Sequence, residues 1–363
     1  MSRSVALYIH IPFCKSICSY CDFCKVLSNN EWINQYLDCL DNEIKNYYMG
    51  EKIKTIYIGG GTPSALNIEQ LEKLFQIVKQ FDIEDNIEFT FECNLNDISE
   101  ELLDVLIKNG VNRLSIGIES FDKDKLKFMN RNHTFNSAKE KINLCRLKGI
   151  NNINLDLIYG IPNETLKVLK KDLKLLLKLK PNHISTYSLQ IEKNTMLDVK
   201  NTESISEDLE ADMYEYICRK LKNKGFRHYE VSNFSLSGYE SKHNLTYWNN
   251  EEYYGFGLNA SGFLENVRYE NTRNLNKYLN DDVDRNQTIL SKQDFMDNEL
   301  MLGLRKIEGI NLKQFEEKYD IKLEDNYPIN TLLKNKDLIK KNGYIFINPR
   351  KLYLMNEILL KLI

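Results

Sequence analysis

The sequence has no apolar run approaching the roughly 18 residues that a bilayer-spanning helix needs. Its first residues, MSRSVALYIHIPFC, lack the basic start, long apolar stretch and small-residue cleavage site of a secretory leader. The cytoplasm is therefore the expected compartment. No sign of charge dominates: 49 Lys and Arg against 52 Asp and Glu leave a formal net charge of -3. That balance gives no support for a nucleic-acid partner. There is no internal repeat and no low-complexity tail, and proline and glycine are scarce, at 6 and 16 of 363 residues. This scarcity, beside abundant Tyr, Phe, Asn, Ile and Lys, is a bias of composition without a functional message. What is present suits a soluble globular protein, with 42% hydrophobic and 28% charged residues. The length suits two domains, or one barrel-sized domain with an appendage.

Eight cysteines stand at 14, 18, 21, 24, 39, 93, 145 and 218. A secreted disulfide scaffold would be small and loop-rich, whereas this chain is long enough to bury its own core. Cys14, Cys18, Cys21 and Cys24 crowd into one short stretch, YIHIPFCKSICSYCDFCK. In a reducing compartment such crowding points to a metal site. The spacing C-x3-C-x2-C differs from the two separated CxxC pairs usual for zinc. Three thiolates suit an iron–sulfur cube with one iron left open. Structural zinc, or no metal, is the alternative. Cys24 could serve as a fourth ligand, but the open iron would then be lost, so it is set aside. The isolated Cys39, Cys93, Cys145 and Cys218 suit small buried apolar positions.

Short apolar runs alternate with longer amphipathic ones over the first two-thirds of the chain. Strands are predicted at Val5–Ile11, Lys54–Ile58, Ile87–Glu92, Arg113–Ile118, Asn154–Tyr159 and His183–Leu189, with a seventh at His228–Ser232. Between them, Leu71, Leu74, Phe75 and Val78, and Leu166, Leu169, Leu173, Leu176 and Leu177, keep a helical rhythm. Such alternation predicts an α/β fold of parallel β/α units, a partial TIM-like (β/α)6 barrel. Chemistry then belongs at the C-terminal ends of the strands, where the cysteines, Gly59-Gly60-Gly61-Thr62-Pro63, Glu92 and Glu119 fall, with Asp156 inside strand five. Residues 1–234 are assigned to the barrel. Residues 235–290, rich in Asn, Tyr and Gly, read as a connecting region of loops and short strands. Residues 291–363 carry helices near Asp294–Leu304, Leu312–Lys318 and Pro328–Lys336 and a hairpin-like end, a mostly helical, winged-helix-like domain. No concentrated basic recognition helix accompanies it, so no nucleic acid is expected.

The cysteine string matches the radical S-adenosylmethionine (SAM) signature. Further strings fall in order along nearly the whole chain: GGGTPS at 59–64, GVNRLSIGIESF at 110–121, DLIYGIP at 156–162, PNHISTYSLQIEKNT at 181–195, YEVSNF at 229–234 and HNLTYW at 243–248. With them the chain resembles the oxygen-independent coproporphyrinogen III oxidase family, nearest to its heme chaperone branch. That resemblance implies a radical SAM barrel with a [4Fe–4S] cluster on Cys14, Cys18 and Cys21. SAM would bind the open iron and be cleaved to a 5′-deoxyadenosyl radical when the cluster is reduced. It carries SAM contacts onto Tyr8, onto Gly60, Gly61 and Thr62 as a backbone cradle, and onto Glu92, Arg131 and Asp156. Glu119 stands where the family usually has Gln, and a glutamate cannot donate a hydrogen bond when ionised. ECNLND at 92–97 lacks the proline usual after its Asn.

Two departures favour the chaperone over the oxidase. Thirteen residues precede Cys14, where the oxidase carries a long extension, and Phe23 replaces the cysteine of its CxxCxC ending. The resemblance also makes His243 the candidate axial ligand of heme, with Tyr247 and Trp248 as an aromatic rim. The expected function is a heme chaperone that delivers heme to hemoproteins, some of them membrane-associated. The alternative is oxidative decarboxylation of coproporphyrinogen III to protoporphyrinogen IX. An electron donor such as flavodoxin or ferredoxin, peripheral membrane contact during delivery and a homodimer complete the expectation. SAM cleavage is expected, coproporphyrinogen oxidase activity is not, and no catalytic side chain is assigned.

Overall fold

The computed structural model of the protein describes residues 3–193 and 195–362. Six parallel strands form its centre: β1 (Ser4–Ile11), β2 (Lys52–Gly60), β3 (Ile83–Asn94), β4 (Arg113–Glu119), β5 (Asn152–Tyr159) and β6 (His183–Ser188), paired in that order. Each connection carries a main helix: α1 (Asn30–Tyr47), α2 (Ile68–Val78), α3 (Glu100–Lys108), α4 (Phe135–Leu147) and α5 (Leu166–Lys178), with α6 (Glu207–Lys222) after β6. Side-chain caps start them where the polar-to-apolar switch occurs. Asn67 and Gln70 form a capping box on α2, and Thr165 caps α5. Leu169, Leu173 and Leu176 of α5 are buried as their spacing predicts.

The expected seventh strand is instead a hairpin. β7 (Arg227–Glu230) and β8 (Asn233–Ser235) run antiparallel, and β8 lies antiparallel on β6. Only Val231 and Ser232 separate them, and neither Gly nor Pro marks that turn in the sequence.

Residues 235–290 are not a bare connection. After α7 (Lys242–Trp248), β9 (Tyr253–Phe256) pairs parallel with β1 on its outer edge. β10 (Ser261–Leu264), β11 (Val267–Glu270) and β12 (Asn286–Ile289) then extend the sheet antiparallel, to twelve strands in all. Their brevity and mixed composition hid this continuity from pattern reading.

The C-terminal part contains α8 (Lys292–Gly303), α9 (Leu312–Tyr319), three short helices and a three-stranded sheet of Ile310–Asn311, Tyr344–Ile347 and Leu338–Lys341, a winged-helix arrangement. Its buried residues join the barrel's in one core. Backbone bonds from Val231 to Arg305 (3.0 Å) and from Ile307 to Tyr229 (3.1 Å) tie it to β7. Among the described residues no helix is long and apolar enough to cross a membrane.

Candidate cluster and S-adenosylmethionine site

Strand alternation sorts the side chains of the sheet onto two faces. On one, Phe91, Leu114, Ile116, Leu155 and Leu157 are buried in the hydrophobic core. On the other, Glu92 and Asn94 of β3, Arg113, Ser115 and Glu119 of β4, Asn154 and Asp156 of β5, and Ser185 and Tyr187 of β6 line a cavity of about 440 Å³. The interior of this barrel is polar.

The cysteine loop roofs the cavity. Cys14, Cys18 and Cys21 all line it, Cys14 buried and the other two half-buried. The loop is fastened on both sides. Lys15 pairs with Asp97 at 2.7 Å, while Ser19 Oγ donates to the Phe128 carbonyl at 2.7 Å and Asn130 Nδ2 to that of Ile17 at 3.2 Å. Cys24 belongs to another surface: its Sγ lies 4.0 Å from the Arg273 carbonyl, and it is absent from the cavity wall. Its own carbonyl accepts from His10 Nε2 at 3.0 Å. His10 Nδ1 is therefore the acceptor, and the Tyr8 hydroxyl donates to it at 2.9 Å. Burial lowers the His10 pKa, keeping the ring neutral for this bridge.

The donor set fits a [4Fe–4S] cube. Among the described residues no three His, Cys, Asp or Glu side chains are gathered to hold one metal ion. A cube instead takes each thiolate on a different iron, which three thiols along one wall can supply. Burial raises the pKa of the Cys14 thiol, and a hydrogen bond from Thr62 Oγ1 at 3.4 Å opposes that shift.

Gly60, Gly61 and Thr62 line the cavity, as a cradle would, but their amides are turned to the protein. Gly61 N donates to the Ile11 carbonyl at 2.8 Å, Thr62 N to Phe13 at 2.9 Å and Gly60 N to Glu92 Oε2 at 3.1 Å. All three N–H groups are engaged within the protein. The turn instead lets the cysteine loop approach closely. A Cβ on Gly61 would stand 2.7 Å from the Pro12 backbone and 2.9 Å from Cys14 Sγ, and Gly60, at φ +118°, lies against the His10 ring. Tyr8, likewise, is not on the cavity wall; it acts behind it, through His10.

Glu92, Glu119, Arg131 and Asp156 do meet in the cavity. The Tyr57 hydroxyl donates to Glu92 at 2.6 Å, yet burial pushes this carboxyl up to about 7. Glu119, at φ +62°, ion-pairs with Arg131 at 3.0 Å; burial likewise pushes it to about 7 against the pull of that guanidinium. Asp156 accepts from Asn154 Nδ2 at 2.7 Å, and burial raises its pKa. Three cavity-lining residues keep buried polar atoms without a protein partner: Arg113 Nε, Arg131 Nε and Ser188 Oγ. Buried polar atoms are normally paired, so this wall suits a polar ligand of SAM's kind, with carboxylates for cationic groups and guanidinium donors for a carboxylate.

Residues 8–176 match the Radical SAM superfamily and residues 290–350 the HemN C-terminal domain. The chain is 41% identical to the heme chaperone HemW of Lactococcus lactis, covering 99% of this chain and 97% of that relative. It is 37% identical to the heme chaperone HemW of Bacillus subtilis, over 96% and 95% of the two chains. This chain belongs to the HemW family. The coproporphyrinogen III oxidase HemN of Escherichia coli has the same fold, with a TM-score of 0.87 at 22% identity over 99% of this chain and 90% of that one. Membership in the radical SAM superfamily implies SAM and a [4Fe–4S] cluster as cofactors.

In this HemW-family chain the string HNLTYW is a helix, α7, rather than a loop. His243 is buried, with Nδ1 paired to Thr55 Oγ1 at 2.9 Å and Nε2 to the Tyr247 hydroxyl at 2.7 Å. Burial lowers its pKa to about 3, aided by the charges of Arg113 and Lys54. In this conformation neither ring nitrogen is free for iron. Trp248 packs toward Arg305, whose guanidinium lies 5.6 Å from the indole ring centre. The N-terminus of α7 is held by Glu88, which accepts from the backbone of Lys242 (3.1 Å) and His243 (3.0 Å). Asn244, the neighbour of His243, reaches the cavity wall.

The sequence places His10 in the first strand beside the cluster loop without giving it a role, and leaves Arg113 and Asn244 unmarked. Counting by twos back from Glu119 would have placed Arg113 on the cavity face. Asn244 lies within HNLTYW, next to His243.

Proposed function

We propose that this chain is a heme chaperone that binds heme and transfers it to hemoproteins, carrying a SAM-binding [4Fe–4S] cluster. The supporting observation is its likeness, over almost its whole length, to relatives named heme chaperone HemW. When bound and reduced, the cluster supplies the electron that cleaves SAM. The chain's own residues hold the three thiols in one wall, keep Cys24 out of it and present the Glu119–Arg131 pair to the ligand. Membrane-associated recipients, a flavodoxin- or ferredoxin-type donor, homodimer formation and a cytoplasmic location with peripheral membrane contact belong to the same reading.

His243 remains the proposed axial ligand, under a condition its geometry sets. Iron must replace the Thr55 or the Tyr247 hydrogen bond, so α7 has to lift from its seat for heme to reach the ring. A heme titration with parallel coproporphyrinogen III assay tests the reading. Stoichiometric heme binding without protoporphyrinogen IX formation, with SAM and a competent reductant present, is the expected outcome. Many turnovers of product per chain would make the protein an oxidase instead. His243→Ala should weaken or relocate heme while keeping the cluster spectrum; unchanged affinity and ligation would remove His243 from the assignment.

A further inference from the structure

The cavity is closed partly by a segment that lies outside the six parallel β/α units. α7 packs on the inward-facing side chains of β2 and β3, with His243 on Thr55 and against Tyr57, and Glu88 on its first two amides. His243 is thereby turned into the protein, and the next residue, Asn244, lines the same cavity as Cys14, Cys18 and Cys21. The Asn244 side chain is half-buried, and among the described residues nothing hydrogen-bonds its carboxamide. A carboxamide can donate twice and accept twice. One placed on a ligand wall without a protein partner is free to bond the ligand.

Charge indicates which part of the ligand it meets. Among the described residues the other atoms without a protein partner on this wall are the Ser188 hydroxyl and, near the carboxylates Glu119 and Asp156, the guanidinium nitrogens of two ionic groups, Arg113 and Arg131. Those suit the charged amino-acid half of SAM. Asn244 is neutral and suits the neutral, hydrogen-bonding nucleoside half. We propose that Asn244 binds the nucleoside half of SAM, so that SAM holds α7 in its seat. This inference concerns the SAM cavity alone and stands whether or not heme is the cargo.

Asn244→Ala and Asn244→Leu, the second keeping side-chain bulk, are to be compared with the parent as cluster-loaded proteins. The measurements are SAM and 5′-methylthioadenosine affinity by equilibrium dialysis, iron content, and hydrogen exchange at the Lys242 and His243 amides. The expected result is about a tenfold loss of affinity for both ligands, the size of one hydrogen bond, with iron content unchanged. SAM should slow exchange at those two amides in the parent and less so in the variants. Unchanged SAM affinity in whichever variant retains the cluster overturns the proposal. Weaker SAM binding with unchanged 5′-methylthioadenosine binding overturns the nucleoside assignment. Faster exchange in the variants without any ligand would make Asn244 a brace for the helix, and would overturn the proposal too.

Discussion

Cys21 and Cys24 are three residues apart, yet they end on different surfaces, and the direction of Cys24 decides the ligand count. On anaerobic reconstitution the parent should hold about four iron and four sulfide per chain. Cys14→Ala, Cys18→Ala and Cys21→Ala should each abolish this, while Cys24→Ala should retain it; iron and sulfide analysis reads the outcome. This candidate ligand set was legible because thiol spacing limits what a metal can reach. The partners of His243 were not, since Thr55 lies 188 positions away and no local pattern announces it. A second buried group, Glu230, makes a separate prediction. Burial, outweighing the nearby Asn233 and Ser232 donors, pushes its pKa to about 7 from 4.5. The folded protein therefore binds the proton more tightly than the unfolded chain. Stability from this site is complete below pH 4.5 and is lost as pH rises through 7, by at most about 3 kcal/mol. Glu230→Gln should flatten that slope in denaturant titrations from pH 5 to 8 and stabilise the protein at pH 8. A slope identical to the parent's would refute the assignment.

At the level of elements, the parallel strands and their helices could be read because each repeats its own period over many residues. The hairpin β7–β8 and the short strands β9 to β12 could not, because three or four residues hold too little pattern and their pairing is set by distant partners. Helix α7 was hidden for the same reason: seven residues make barely two turns, and such a helix depends on what holds its end. Glu88 is that hold. Glu88→Ala should leave two backbone donors unpaired and destabilise the protein by on the order of 3 kcal/mol, as urea unfolding would record. Glu88→Gln, which keeps one acceptor oxygen, should lie between. A near-neutral Glu88→Ala would mean that α7 is seated by its side chains alone.

Across the whole molecule, the winged-helix part and the barrel share one apolar core and are laced together at β7. The division of residues 1–234, 235–290 and 291–363 followed changes in composition, but composition does not report which segments are packed together. A shared core predicts a single cooperative unfolding transition for the cofactor-free chain. Tryptophan fluorescence, from Trp32 on α1 and Trp248 on α7, should coincide with far-ultraviolet circular dichroism. Two separated transitions would mark the C-terminal part as an independent unit.

The seat of α7 inside the barrel also sets an order of events during synthesis. Cys14, Cys18 and Cys21 leave the ribosome first, about 220 residues ahead of the helix that closes the chamber beneath them. The outer neighbour of β1, β9, follows later still. A nascent chain thus exposes its three thiols to oxygen and stray metals long before it can shelter them.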